Sequence, residues 1–141
     1  NNNTAFYLLQ KKKVKKYYDL KLLRVLVLKK DKVLAIKKNK KEWLAGQYEV
    51  PTFIIGSEDK AIKQYPYLNE KINVDKLKKY KTVITKYKIT NYILSLKEHN
   101  KILNQLDGLQ YVSVDFKKAN LSSATIKAIK KVEKGYKPDS V

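Results

Sequence analysis

The stretch Leu20-Lys21-Leu22-Leu23-Arg24-Val25-Leu26-Val27-Leu28 constrains the fold more than any other part of the chain. Leucine and valine are nearly continuous there, and such a run suits a strand covered on both faces. A chain built around it must form a sheet with further layers on either side. Lys29 to Lys32 then supply a turn, and Val33-Leu34-Ala35-Ile36 a second strand. The two strands read as a hairpin, although the tight Asn-Gly type of turn is missing.

Shorter elements follow at irregular intervals. Lys37 to Lys41 is a basic loop, and Tyr48-Glu49-Val50 reads as a short strand ended by Pro51, which has no N–H for a ladder. Ser57 is placed to cap a short helix, with Glu58 and Asp59 in its first turn and Pro66 just beyond its end. Thr82 to Leu96 is rich in β-branched and aromatic residues and reads as one long bent strand or as two strands meeting near Asn91. Tyr111 to Val114 is a last short strand. Ser122 caps a helix in which Ile126, Ile129 and Val132 recur at helical spacing, with Gly135 as its stop. Strands and helices in this order argue for an α+β fold rather than a strictly alternating one. At 141 residues the chain is one domain's worth. Residues 1–19 read as a basic linker, 20–135 as the domain and 136–141 as a tail. The absence of methionine, even at position 1, reads as a piece cut from a longer chain.

Charge says most about partners. The chain holds 32 basic and 13 acidic residues, a net charge of +19. A surface of that kind attracts polyanions. Only Arg24 is arginine, and lysine, Asn, Ile and Tyr are all plentiful, a mixture that an AT-rich coding bias would also give. Acidic residues have not risen along with lysine, however, and this favours nucleic acid. Residues 1–41 hold 14 basic and 2 acidic residues, so the field is expected to be strongest near the N-terminal segment and first hairpin. No cysteine is present, which excludes a disulfide framework, a thiolate zinc site, an iron–sulfur cluster and a cysteine nucleophile in this segment. No apolar run reaches the length of a membrane-spanning helix, and no signal-peptide pattern opens the chain.

The segment Trp43-Leu44-Ala45-Gly46-Gln47-Tyr48-Glu49-Val50-Pro51, following a basic hairpin, resembles the start of a Nudix domain. More closely, Leu-Ala-Gly-x-aromatic-Glu-apolar-Pro resembles the C-terminal domain of MutY-type adenine DNA glycosylases. Lys11 to Lys16 is similar to that family's basic linker. Thr82 to Ile89 looks like its strand bearing a Phe-Ser/Thr-His loop, and Leu121 to Ala124 with Lys127 looks like its closing helix. The resemblance covers roughly residues 11–133. It implies a Nudix-like mixed β-sheet flanked by helices, a degenerate Nudix box, and a part in recognising 8-oxoguanine paired with adenine. By position it implies that Ile84, Thr85 and Lys86 form the lesion-recognition loop. Thr85 there keeps a hydroxyl for a base edge, Ile84 an apolar wedge without the ring, and Lys86 a charge better suited to phosphate. Lys37, Lys38, Lys40, Lys41, Lys81 and Lys88 are candidates for the DNA backbone, with a solvated lysine loop as the alternative at Lys37–Lys41.

Two enzymatic activities lack their parts. Nudix hydrolysis needs several carboxylates at helical spacing to hold magnesium. Here Pro51 is followed by Thr52-Phe53 rather than glycines, and the next residues offer only Glu58, Asp59, Glu70 and Asp75, with no Glu-Glu pair. Base excision needs a helix–hairpin–helix module and a carboxylate in a base pocket, and neither pattern is present. The resemblance therefore implies a non-catalytic fragment of an adenine glycosylase in base excision repair. Its catalytic domain, with the family's iron–sulfur cluster, is expected upstream in the same chain. No cofactor is expected in the fragment itself. The expected partners are double-stranded DNA and that upstream domain, with no membrane, in a monomeric protein of the bacterial cytoplasm, associated with the nucleoid. The alternatives are an atypical Nudix hydrolase acting on nucleotides, and a general basic nucleic-acid-binding or protein-docking module.

Single residues have plainer readings. Trp43 reads as a core or hinge aromatic rather than a base-stacking one. Glu49 reads as a strand carboxylate paired with backbone or a lysine, not a catalytic acid. His99, the one histidine, reads as an exposed loop residue. Tyr87 and Tyr92 could form a stacking platform, with at least one expected to pack against the sheet.

Overall fold

The computed structural model describes residues 16–98, 100–115 and 117–133. Most of the basic linker, His99, Gly135 and the tail lie outside the described residues.

β1 (Tyr18–Lys29) is the central strand that the apolar run requires. Leu20, Leu22, Arg24 and Leu26 point to one face of the sheet and Leu23, Val25 and Val27 to the other, and all seven are buried. Asp19 and Lys21, on the second face near the start of the strand, are exposed. β1 pairs in parallel with β6 (Tyr87–Leu96) along almost its whole length. On its other side it pairs antiparallel with β4 (Thr52–Ser57) and, at its far end, with β2 (Lys32–Lys37). β5 (Lys78–Ile84) adds to β6 as an edge, while β3 (Tyr48–Glu49) and β7 (Gln110–Ser113) add to β2. The result is a mixed seven-stranded sheet ordered β3-β2-β1-β6-β5, with β4 and β7 branching from β1 and β2. The class is α+β, as the sequence predicts. The first hairpin also forms as expected. Its turn at Lys30-Asp31 is tight without Asn-Gly, because Lys30 takes the left-handed conformation at φ 54°.

One face of the sheet carries the helix α1 (Ser123–Val132), whose Ala128 and Ile129 pack with Leu26, Val33, Val50, Ile93 and Leu121. Ser122 caps it as the sequence predicts, its Oγ accepting from the Thr125 N–H at 3.1 Å. On the same face, Leu20, Leu22, Ile54, Tyr87 and Ile89 are covered by Ile62 and Tyr65, with Trp43 against them. The opposite, outer face buries Leu23, Val25, Val27 and Phe53 under the 3-10 helix Lys101–Gln105.

One strand is new to the structure and two expectations are corrected. Pro51 leads straight into β4, where Phe53 and Ile54 are buried core residues. No helix follows Ser57. Its hydroxyl instead accepts from the Asp59 N–H (3.1 Å) and donates to the Asp59 carbonyl (2.7 Å), closing a local turn. The Thr82–Leu96 stretch is two strands, but they meet at Thr85-Lys86 rather than near Asn91. Asn91 is fully buried in the middle of β6.

Candidate nucleic-acid interface

The motif Trp43–Pro51 builds structure, and its centre is Glu49. Arg24 is 1% exposed. It donates from Nη1 to Glu49 Oε2 (2.9 Å) and to Thr52 Oγ1 (3.1 Å), and from Nε to Asn91 Oδ1 (2.9 Å). Asn91 in turn donates to the Tyr80 carbonyl and Thr82 Oγ1, so the fork ties β1 to β3, β4, β6 and β5. The Tyr65 hydroxyl donates to Glu49 Oε2 (3.0 Å), and Lys38 Nζ lies 3.4 Å from Glu49 Oε1 and 3.1 Å from Glu42 Oε2. Burial works against the Arg24 charge, but Glu49, Tyr80 and Tyr65 outweigh it, and its pKa rises above the ordinary value. Burial, with Glu49 beside it, also raises the Tyr65 hydroxyl. Glu49 is thus a paired strand carboxylate, as its sequence context suggests. Lys38 is corrected as a DNA contact: it is 6% exposed, with its ammonium over the Tyr65 ring at 4.1 Å. An ammonium held between two carboxylates and a ring is not free to meet a phosphate.

The lesion-loop candidates sit at the tip of the β5–β6 hairpin. Ile84 and Tyr87 are its closing pair, with Thr85 and Lys86 as the two turn residues. Thr85 is exposed with φ 50°, a conformation that a β-branched side chain rarely takes. Ile84 packs on the core beside Tyr18 and Trp43. The Lys86 ammonium lies over the rings of Tyr18 (5.3 Å) and Tyr87 (5.7 Å). The Tyr87 hydroxyl donates to Asp59 Oδ2. That bond, with burial behind it, raises the Tyr87 pKa to about 12, and the Tyr87 and Ala61 donors lower that of Asp59. Glu58 Oε1 accepts from the Asp19 N–H at 2.6 Å. The two acids nearest to a Nudix-box position therefore fasten the 58–66 loop to this end of the sheet. Trp43 is half-buried, its ring 5.4 Å from that of Tyr87 and 6.2 Å from that of Tyr65, which is the core role read from the sequence.

The remaining candidate lysines fall into two groups. Lys37, Lys40 and Lys41 are exposed. The loop they begin leads to Trp43, which packs on the helix-bearing face. Lys81 and Lys88 are exposed on the outer face. Cross-strand partners share a face, so the register sets out two rows there. One is Lys81–Thr90–Lys21 and the next is Val83–Lys88–Asp19, each crossing β5, β6 and β1. Lys79 and Tyr92 begin a third row, with the Lys79 ammonium 5.9 Å from the Tyr92 ring. Between the first two rows lies a hollow of about 330 Å³. Tyr92 is half-buried and Tyr87 buried, so neither forms an open stacking platform. Sequence reasoning missed Lys21, Lys79 and Thr90 in this patch. The signal was the alternation Asp19-Leu20-Lys21-Leu22, in which every second residue is polar before the run becomes wholly apolar.

Among the described residues no group of three or more His, Asp or Glu stands together as a metal site, and no helix is long and apolar enough to cross a membrane. The chain has no cysteine, so an iron–sulfur cluster would find no thiolate within it.

No family model matches the chain, and no curated protein matches it in sequence. Among solved structures it is similar to the crystal structure of the complex between the C-terminal domain of mouse MUTYH and human PCNA. The identity is 16%, the TM-score 0.48, and the match covers 82% of this chain and 87% of that one. It is also similar to the MutT NUDIX hydrolase from Burkholderia pseudomallei, at 13% identity and a TM-score of 0.48, over 82% of this chain and 98% of that one.

Proposed function

We propose that this domain binds duplex DNA without cleaving it, and serves as the 8-oxoguanine-recognition domain of an adenine DNA glycosylase acting in base excision repair. The observation that carries the reading is the lysine-lined outer face next to the exposed tip of the β5–β6 hairpin. Lys21, Lys79, Lys81 and Lys88 all reach solvent on one side of three adjacent strands. Such a cluster neutralises phosphates, a sequence-independent and salt-sensitive contribution that positions the duplex. The hairpin tip projects from the same strands and offers the Thr85 hydroxyl to a base edge. Lys86, gathered over two tyrosine rings, touches backbone rather than base in this reading. The adenine-excising chemistry and its iron–sulfur cluster belong, in this reading, to another domain of the parent protein, which would be this domain's intramolecular partner.

The test uses duplexes with adenine opposite 8-oxoguanine or opposite guanine. A single neutral hydrogen bond contributes roughly 0.5–1.5 kcal/mol, so the domain is expected to prefer the lesion by no more than about tenfold. Thr85→Ala should abolish the preference, whereas Lys86→Ala should weaken binding to both duplexes alike. Equal affinity of the unaltered domain for the two duplexes would remove lesion recognition from the reading. Loss of the preference in a Lys40→Ala/Lys41→Ala variant but not in Thr85→Ala would move it to the loop after β2.

A further inference from the structure

The outer face contains one residue that phosphate binding does not call for. Asp19 is exposed in the row Val83–Lys88–Asp19, in the midst of the lysines. Its backbone N–H is held by Glu58, but among the described residues no hydrogen bond or ion pair engages its carboxylate. A bare carboxylate beside a polyanion is repelled, so a surface that met only phosphates would be better without it. A carboxylate is also an acceptor with two oxygens, suited to a ligand edge that presents two N–H donors side by side.

The rest of the hollow matches a ligand with an anionic end and a flat, partly apolar end. In the neighbouring row Lys81, across from Thr90, lines the hollow, and its ammonium and the Thr90 hydroxyl offer donors to a phosphate. In the Asp19 row, Val83 is 60% exposed, which leaves an apolar surface for a ring. At about 330 Å³ the hollow falls within the roughly 300–1,000 Å³ of small-ligand sites. We infer that this hollow holds one nucleoside monophosphate unit with an unpaired guanine. Its phosphate lies against Lys81 and the Thr90 hydroxyl, its ring on Val83, and its N1–H and N2–H groups donate to Asp19. Guanine presents two such donors on its Watson–Crick edge. Adenine and cytosine present one amino group there, and thymine one imino group. The edge is free only when the base is out of the duplex, so the unit is a nucleotide in a single-stranded or extruded position, or a free nucleotide.

This inference rests on the proposal that the outer face binds DNA, and the two can fail separately. The experiment measures binding of the whole chain to fluorescent single strands TTGTT, TTATT, TTCTT and TTTTT, beside a 20-base-pair duplex. TTGTT is expected to bind about tenfold more tightly than the others, a difference of about 1.4 kcal/mol. Asp19→Asn should remove the preference and leave duplex binding within twofold. Asp19→Ser provides the same test should the first variant unfold. Lys81→Gln should weaken all four strands together. Competition by guanosine 5′-monophosphate, at concentrations where adenosine 5′-monophosphate fails, would identify a free nucleotide as a ligand. A preference seen only within the strand would identify the extruded base. Four equal affinities with duplex binding intact would overturn the inference and leave the DNA-binding proposal standing, as would a guanine preference that survives in both Asp19 variants. Loss of duplex binding and strand binding altogether would overturn both.

Discussion

A guanidinium sealed into a sheet is stable only while its partners hold, so Arg24 and Glu49 should be the least replaceable residues of the domain. Glu49→Ala would leave Arg24 and Lys38 buried without their shared carboxylate. Removing one partner of a buried pair costs about 3–5 kcal/mol, a large fraction of a small domain's stability. Denaturant unfolding should therefore show Glu49→Ala far below the parent in midpoint, and a loss under 1 kcal/mol would mean that the seam contributes little. The Tyr87–Asp59 bond should show itself in the pH dependence. Tyr87 has a raised pKa, so its contribution is complete below the ordinary tyrosine value near 10 and is lost as pH rises through about 12. Asp59 has a lowered pKa, so its contribution is present above the ordinary Asp value near 4 and is lost as pH falls further. Tyr87→Phe should lower the stability plateau at neutral pH and flatten both limbs of the profile. An unchanged acid limb in that variant would show that the bond does not form. At this scale the sequence was partly legible. Glu49, Trp43 and the Ser122 cap have the roles their neighbours suggest. Arg24 does not announce itself, because its partners Glu49, Thr52 and Asn91 lie 25, 28 and 67 residues away and no local period connects them.

The β5–β6 hairpin is the element on which structure and proposed function pull in different directions. Thr85 adopts φ 50°, where an ordinary residue is strained by roughly 1–2 kcal/mol and glycine is not. Thr85→Gly should therefore stabilise the domain by about 1 kcal/mol, read as a higher Tm, while it erases any preference for the lesion duplex. Such an outcome would mark the threonine as kept for its hydroxyl. A Tm that falls on this substitution would show that the side chain supports the turn instead. The same element shows where element-level reading succeeds and fails. The composition of Thr82–Leu96 revealed strand, but Asn91 looked like the break because asparagine is a turn former. Buried beside Arg24, it is a hydrogen-bonding core residue, and the turn falls on Thr85-Lys86, which carries no turn signal. Ser57, Glu58 and Asp59 look like a helix start. They fold otherwise because Glu58 reaches Asp19, Asp59 reaches Tyr87, and Ile62 and Tyr65 turn inward together to cover the core. Those contacts connect distant strands and leave no trace in the local pattern.

For the whole molecule the question is what a net charge of +19 is for. The fold sorts the lysines into classes that composition merges. Lys38 is inside, Lys37, Lys40 and Lys41 are exposed at the end of β2 and in the loop after it, and Lys21, Lys79, Lys81 and Lys88 stand in register across the outer face. If the excess were compositional drift alone, all the exposed lysines would contribute alike to polyanion binding. If the outer face is the interface, a few of them carry most of it. Each neutralised phosphate contributes about −0.9 to the slope of log K against log salt concentration. The decisive measurement is that slope for a 20-base-pair duplex, taken with the unaltered chain, with Lys21→Gln/Lys81→Gln/Lys88→Gln, and with the control Lys127→Gln/Lys130→Gln/Lys131→Gln, which removes the same charge from α1 on the opposite face. With the outer face as the interface, the slope is expected to be shallower by about 2–3 in the outer-face variant and close to the original in the control. Equal slopes for the two variants would contradict it and return the lysines to a diffuse positive field.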